Sequence, residues 1–397
     1  MNTRYILFFI LGIDAFILFL QTSELSISYT EASLYYGDFS FLQSVIKTSV
    51  YLLGQNDFSL RLPMILFHIA SAVLLYALSK RYLKDERNRI WLVAIFILLP
   101  GVISSAMLVN SAGLVIFGLL LFAYLYEKIS SKYIYALLLV YSFADGGFSY
   151  LFLGLMAFSA YKKKKSFFII NFILFCLSIY IYGLDPKGMP EGHFLDTLGI
   201  YSAIFTPIIF VYIFYVLYRR YLTKEIDILW FISTTALLFS LVLSFRQRVE
   251  VEHFAPYLII SMPLIAQTFY ASYRVRLSAF RTKYKAIFAV SLVFLFFNSS
   301  VVFLNKYLYI FLENPEKHFA YEMHIAKELA TKLQDGGIHC LQQDSKMAKR
   351  LQFYNISKCN EYILNENKIY DDKSSIVTIS YNEIPIYFAS VTKVNNK

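Results

Sequence analysis

"FRQRVEVEHF", residues 245–254, puts Arg246, Arg248, Glu250, Glu252 and His253 on one short connection between apolar runs. Two arginines at a membrane surface can grip a phosphate through bidentate hydrogen bonds. A carboxylate beside them, in a dry cleft, can take a proton from an attacking hydroxyl. Other acids stand on similar connections. "SISYTEASLYYGDFS" (26–40) holds Glu31 and Asp38, and the following residues add Asp57 and Arg61. "DPKGMPEGHFLDTLGIY" (185–201) adds Lys187, Glu191, His193 and Asp196, "ADGGFS" carries Asp145, and "LVNSAG" carries Asn110. A phosphate grip with a base describes group transfer from a lipid phosphate, whose departing charge cations stabilise. The acceptor, a hydroxyl or amine, is a poor nucleophile and needs the base.

Many of these residues also have plainer roles. An arginine at the start of a span, such as Arg61, commonly snorkels to the interface. Loop histidines are more often hydrogen-bonded than metal-ligating, Asp196 suits a helix cap or the surface, and Asn110 suits backbone satisfaction. No Gly-rich phosphate loop, internal repeat or metal-spaced His/Cys cluster occurs.

The elements that must carry these groups are membrane spans. The chain has 397 residues, 58% hydrophobic and 18% aromatic, with charge gathered between long apolar runs. Spans are predicted at about 5–21, 62–79, 90–108, 111–126, 133–145, 147–161, 167–184, 203–219, 226–244, 255–272 and 286–304, giving eleven crossings. The connections at 80–89, 127–132, 162–165, 218–225 and 273–285 are all basic, which assigns them to the cytoplasm with the N-terminus. The net charge of +10 thus belongs to topology and not to nucleic acid. The first loop (22–61), 185–202 and 245–254 then face outward. The last of these breaks the charge rule, which suggests a task beyond topology.

Residues 305–397 differ in kind. "FAYEMHIAKELATKLQD" and "SKMAKRLQFYN" read as helices, while "IHCLQQ", "SSIVTISY" and "IPIYFASVT" read as strands. The expectation is a transmembrane domain over 1–304 and a small extracytoplasmic α/β domain over 305–397. Outside the cytoplasm Cys340 and Cys359 can pair, and two free thiols in a small core remain the alternative.

"YTEASLYYG", a loop helix, and "GQNDFSLRLP" leading into the second span resemble the first outer loop of GT-C-type glycosyltransferases. The branch includes the protein O-mannosyltransferases and the lipid A aminoarabinose transferase. "EHFAPYLIISMPLIA" (252–266) resembles a later outer loop of that family. The resemblance implies a polytopic helical fold of about 11 spans with amphipathic helices in the first loop. It also implies a polyprenyl-phosphate-linked sugar as donor and membrane lipids as surroundings, with lipid A, another glycan or protein as acceptor. Glu31 is then the expected catalytic base, and Arg61, Arg246 and Arg248 the expected donor-phosphate ligands. Asp38, Asp57, Asn110, Asp145, His193, Asp196, Glu252 and His253 are expected near substrate. The family's Asp-Glu pair falls on Thr30 and Glu31, and a second family Asp falls near Asn110. Relatives differ in use of a divalent metal, and no cofactor is otherwise implied. Abundant Ile, Phe, Lys and Asn suggest a bacterial host, hence an inner membrane. A lipid-linked-sugar flippase and a non-catalytic assembly subunit are the competing readings.

Overall fold

The computed structural model describes residues 3–183, 192–342, 346–366 and 375–394. Lys187 and Glu191 lie outside the described residues. Helices come first: α1 (Thr3–Glu24), α2 (Tyr29–Tyr36), α3 (Phe41–Leu53), α4 (Asp57–Ser79), α5 (Glu86–Leu98), α6 (Pro100–Met107), α7 (Ser111–Leu125), α8 (Ser131–Ala144) and α9 (Ser149–Tyr161). They continue as α10 (Lys165–Tyr182), α11 (Phe194–Phe205), α12 (Pro207–Thr223), α13 (Ile228–Ser244), α14 (Ala255–Ile259), α15 (Met262–Val275) and α16 (Ser278–Phe303). The C-terminal segment adds α17 (Ala326–Asp335) and α18 (Lys346–Gln352). Its strands are β1 (Cys340–Leu341), β2 (Ser357–Lys358), β3 (Tyr362–Glu366), β4 (Ser375–Tyr381) and β5 (Ile384–Lys393).

All eleven predicted apolar runs are helical, but not all as straight rods. Helices α1, α4, α10 and α16 are each long and apolar enough to cross a membrane. Three further runs are bent: α5 with α6 by 63°, α11 with α12 by 105°, and Val251–Ile259 with α15 by 44°. Prolines explain the breaks. Pro100 and Pro207 open α6 and α12, and Pro263 is the second residue of α15. A proline removes a backbone donor and disfavours helix in the residue before it. By length and composition this gives four crossings, or seven with the bent pairs counted, against the eleven read from the sequence. The remaining four runs are α7, α8, α9 and α13, with 13 to 17 residues each. The protein is multi-pass.

The chain divides into two compact units. The first comprises Met1–Leu18, Ser40–Leu42 and Met64–Ser300. Its core is aromatic and branched, with Phe96, Phe122, Phe148, Phe152, Tyr201 and Phe205 fully buried. Helices α9 and α13 pack closely at Gly154, where a Cβ would lie 2.9 Å from Ile232 Cα. One polar pair interrupts the apolar packing: His68 Nε2 and Asp14 Oδ2 are 2.7 Å apart, linking α4 to α1.

The second unit comprises Phe19–Phe39, Gln43–Pro63 and Val301–Lys397, so the first loop and the C-terminal segment belong together. Helices α17 and α18 pack on a core that includes Leu329, Leu333, Leu351, Ile379 and Val391. Strands β1 and β2 pair in parallel, and β5 lies between β3 and β4 in an antiparallel sheet. A disulfide joins Cys340 to Cys359, 19 residues on. Closing a loop of that length stabilises the folded chain by about 3 kcal/mol.

Candidate active site

In the second unit, the first loop is organised around Glu31 and Arg61. Ser28 caps α2, accepting from Glu31 N, while Glu31 Oε2 accepts from Ser28 N at 2.9 Å, a reciprocal capping box. Arg61 is fully buried. Its Nε donates to Glu31 Oε1 at 2.9 Å and Nη2 to Glu31 Oε2 at 2.8 Å. Nη1 donates to the carbonyls of Thr22 and Leu25, and Nη2 also to that of Ser26. A guanidinium has five N–H donors, and five contacts use them all. The phosphate role expected for Arg61 therefore has no donor left to perform it. Glu31, expected to face a cleft as a free base, is 1% exposed with both oxygens engaged. The neighbouring Thr30 is the exposed residue of the two.

The same unit accounts for Asp57. Its Oδ1 accepts from the Tyr354 hydroxyl and its Oδ2 pairs with Lys327 Nζ at 3.0 Å. Burial, and then Asp57, push the Tyr354 phenol well above its usual range. Arg350 donates to the carbonyls of Ile27 and Glu322, and burial lowers its pKa. These C-terminal partners of the first loop, Lys327, Arg350 and Tyr354, carry no local signal in the sequence. Asp38 is exposed.

In the first unit, a different cluster forms where the turn between α8 and α9 meets the turn before α14. Asp145 Oδ1 accepts from Gly147 N at 2.7 Å, capping the short 3-10 turn Gly146–Phe148. Its Oδ2 has no partner among the described residues. The Tyr257 hydroxyl, fully buried, donates to the Gly147 carbonyl at 2.6 Å and fixes the turn from below. A Cβ on Gly147 would lie 2.9 Å from Asp145 Oδ1 and 3.4 Å from His253 Nδ1, so these two atoms converge on one point. His253 Nε2 lies 3.2 Å from Glu250 Oε2. Its Nδ1 is buried with no hydrogen-bond partner. With Nε2 carrying the proton toward Glu250, Nδ1 presents a bare lone pair on the Asp145 side. Glu250 thus holds one nitrogen of the imidazole, and the other faces the space above Gly147 that Asp145 Oδ1 also borders. Tyr150 packs on Phe254 at 4.1 Å between ring centres, closing the apolar side.

Arg246 and Arg248 are exposed on the same turn, with no ion pair to a carboxylate among the described residues. His193 N donates to the Ser244 carbonyl at 2.8 Å, and Phe194 stacks on Phe245 at 4.9 Å. These contacts bring His193 and Asp196, themselves 3.1 Å apart, beside the arginine turn. Glu252 is exposed there. Asn110 takes the plainer of its two roles, its side chain accepting from Gly113 N to cap α7. Among the described residues no three His, Cys, Asp or Glu side chains gather as a metal site.

No family model matches the chain, and no curated protein matches its sequence. Solved structures do match. One is the crystal structure of ArnT from Cupriavidus metallidurans bound to undecaprenyl phosphate. It is 10% identical with a TM-score of 0.61, and the match covers 100% of this chain and 99% of that one. Apo ArnT from the same organism is 11% identical with a TM-score of 0.60, the match covering 98% of each chain. At such identities the likeness speaks for backbone arrangement, and it does so over the whole chain: this protein has the GT-C-type fold of ArnT.

Proposed function

We propose that the protein is a membrane glycosyltransferase that moves a sugar from a polyprenyl-phosphate donor to an envelope acceptor, a lipid, glycan or protein. The observation that carries this reading is that one connection holds the unmatched Arg246 and Arg248 and, at His253, meets the turn that carries the half-buried carboxylate of Asp145. Arginine forks suit a lipid phosphate, and the full-length likeness to a protein crystallised with undecaprenyl phosphate supports that donor class. Asp145 accepts the acceptor's proton through Oδ2 as the sugar's anomeric carbon leaves the phosphate, and the His253–Glu250 pair steadies the charge. His193, Asp196 and Glu252 lie beside the arginine turn and are the residues this reading offers to sugar or acceptor. Glu31 and Arg61 act indirectly, holding the first loop. Basic connections on the cytoplasmic side and a disulfide-bearing C-terminal segment fit an inner-membrane protein with that segment in the periplasm.

The test uses the purified full chain in nanodiscs, a radiolabelled polyprenyl-phosphate sugar and a membrane extract as acceptor source. Asp145→Asn should lower transfer by about 10²-fold or more with unchanged melting. Arg246→Ala with Arg248→Ala should raise the donor KM. Full activity in Asp145→Asn would move the base elsewhere, and no transfer by the wild type from any donor would defeat the proposal. The flippase reading has one observation in its favour, the buried Asp14–His68 pair inside the helical unit. It predicts movement of lipid-linked sugar across sealed vesicles without a transfer product.

A further inference from the structure

Helix α16 is the least enclosed of the long helices: only 11% of its apolar window is buried. Facing it is a hollow of about 300 Å³ bounded by α5, α12, α15 and α16. Its wall is apolar, with Leu99, Phe205 and Met262 at one end. Those three residues mark the breaks of the three bent helix pairs, so the bends themselves open the gap. In a bilayer such a space does not stay empty, and water would find almost no hydrogen-bond partners in it. A hydrocarbon chain is the kind of group that suits such a wall.

The other end of the hollow is polar. Asn88 and Tyr284 stand there, near the starts of α5 and α16, with Tyr212 from the first half of α12 and Tyr270 from the second half of α15; the Tyr212 and Tyr284 hydroxyls are 3.2 Å apart. Cations surround this end. Arg219 Nη1 donates to Ser272 Oγ at 2.6 Å, and the Arg276 guanidinium lies 4.4 Å from the centre of the Tyr284 ring. Arg281 and Lys285 lie 5.7 and 5.9 Å from the Tyr273 ring. None of these four cations pairs with a carboxylate among the described residues. The nearby acids are otherwise employed: Asp85 caps α5 at Arg87 N, and Glu86 pairs with Arg89.

An apolar slot under an unmatched basic rim is complementary to one class of molecule. We propose that this hollow binds an anionic phospholipid, one acyl chain against α16 and the phosphate among Arg219, Arg276 and Lys285. The site is separate from the arginine turn at 245–254, since it adjoins the basic connections 218–225 and 273–285. It does not depend on the transferase reading.

Trp91 lines the hollow and is half exposed, whereas the other tryptophan, Trp230, is buried with its indole N–H on the Leu217 carbonyl. Trp230→Phe leaves Trp91 as the sole reporter. The full chain in phosphatidylcholine nanodiscs is doped with phosphatidylglycerol or phosphatidylcholine brominated on one acyl chain. Brominated phosphatidylglycerol should quench Trp91 at about fivefold lower mole fraction than brominated phosphatidylcholine. Arg219→Gln with Arg276→Gln should bring the two curves together, and Ala266→Phe, filling the hollow, should weaken quenching by both. Were Trp230→Phe to misfold, the wild type gives the same comparison over a constant background. Equal quenching by the two lipids overturns the proposal, as does a preference that survives the double substitution. Displacement of brominated phosphatidylglycerol by undecaprenyl phosphate, but not by plain phosphatidylglycerol, also overturns it.

Discussion

Arg61 satisfies three carbonyls and both oxygens of Glu31 from a site with no solvent, so its removal strands a buried charge. Breaking such a pair costs about 3–5 kcal/mol. Arg61→Ala should therefore lower the melting temperature of the purified chain sharply, while Ser28→Ala, which removes one half of the capping box, should cost only about 1 kcal/mol. Glu31→Gln should lose stability between these two and keep its turnover per folded molecule. Wild-type melting with abolished turnover would instead return Glu31 to the role of base. Half of this arrangement was legible in the sequence. The Ser28-Tyr29-Thr30-Glu31 spacing is the S-x-x-E of a capping box, standing just before an apolar stretch. The other half was not, because the partner that buries Glu31 lies 30 residues away and no local pattern connects them. The reverse holds for Asp145 and His253. Each stands out in the sequence as a single residue, and only the fold shows that both border the same space at Gly147.

At the scale of elements, the apolar runs fixed helix positions well and helix continuity poorly. The predicted spans 133–145 and 147–161 meet at "ADGGFS", and a tight capped turn does separate α8 from α9 there, because Gly-Gly after Asp favours one. The runs at 90–108, 203–219 and 255–272 read as single spans, since hydropathy has no term for direction. Residues 194–202 read as loop and belong instead to α11. The prolines were the available signal, each one standing at or next to a break. The sharpest break, 105°, passes through Thr206, at φ 64° and ψ 147°. That backbone region strains a β-branched residue by about 1–3 kcal/mol and suits glycine. The Thr206 hydroxyl is also buried without a partner. Thr206→Gly should accordingly stabilise the protein by about 1–2 kcal/mol, after the entropy that glycine loses on folding. A lower melting temperature for this variant would mean that the bend is held by the threonine itself.

Over the whole molecule, the two units should answer acid differently, because the buried histidines outside the membrane-spanning helices sit in the second. His318 accepts from Ala320 N and donates to the Asn305 carbonyl, which fixes it as neutral, and burial lowers its pKa. His324 stands beside it with neither ring nitrogen partnered. Burial, with Lys306 and His318 nearby, holds its pKa down at about 3. Between 6.5 and that value the unfolded chain binds a proton that the folded chain refuses. Stability must then fall as pH drops through 6.5, by about 2 kcal/mol at pH 5 for His324 alone. Glu366 acts oppositely: burial raises its carboxyl, so on acidification the folded state gains a proton before the unfolded state does. Two histidines shifted in one direction, one of them by several units, outweigh one carboxyl shifted the other way. Hydrogen exchange in α17, followed in the full chain from pH 7.5 to pH 5, should show opening that grows with acidity. His324→Phe keeps the ring and discards two unpartnered nitrogens, so it should slow opening at neutral pH and flatten most of the acid dependence. An unchanged slope in His324→Phe would assign the acid sensitivity to other groups.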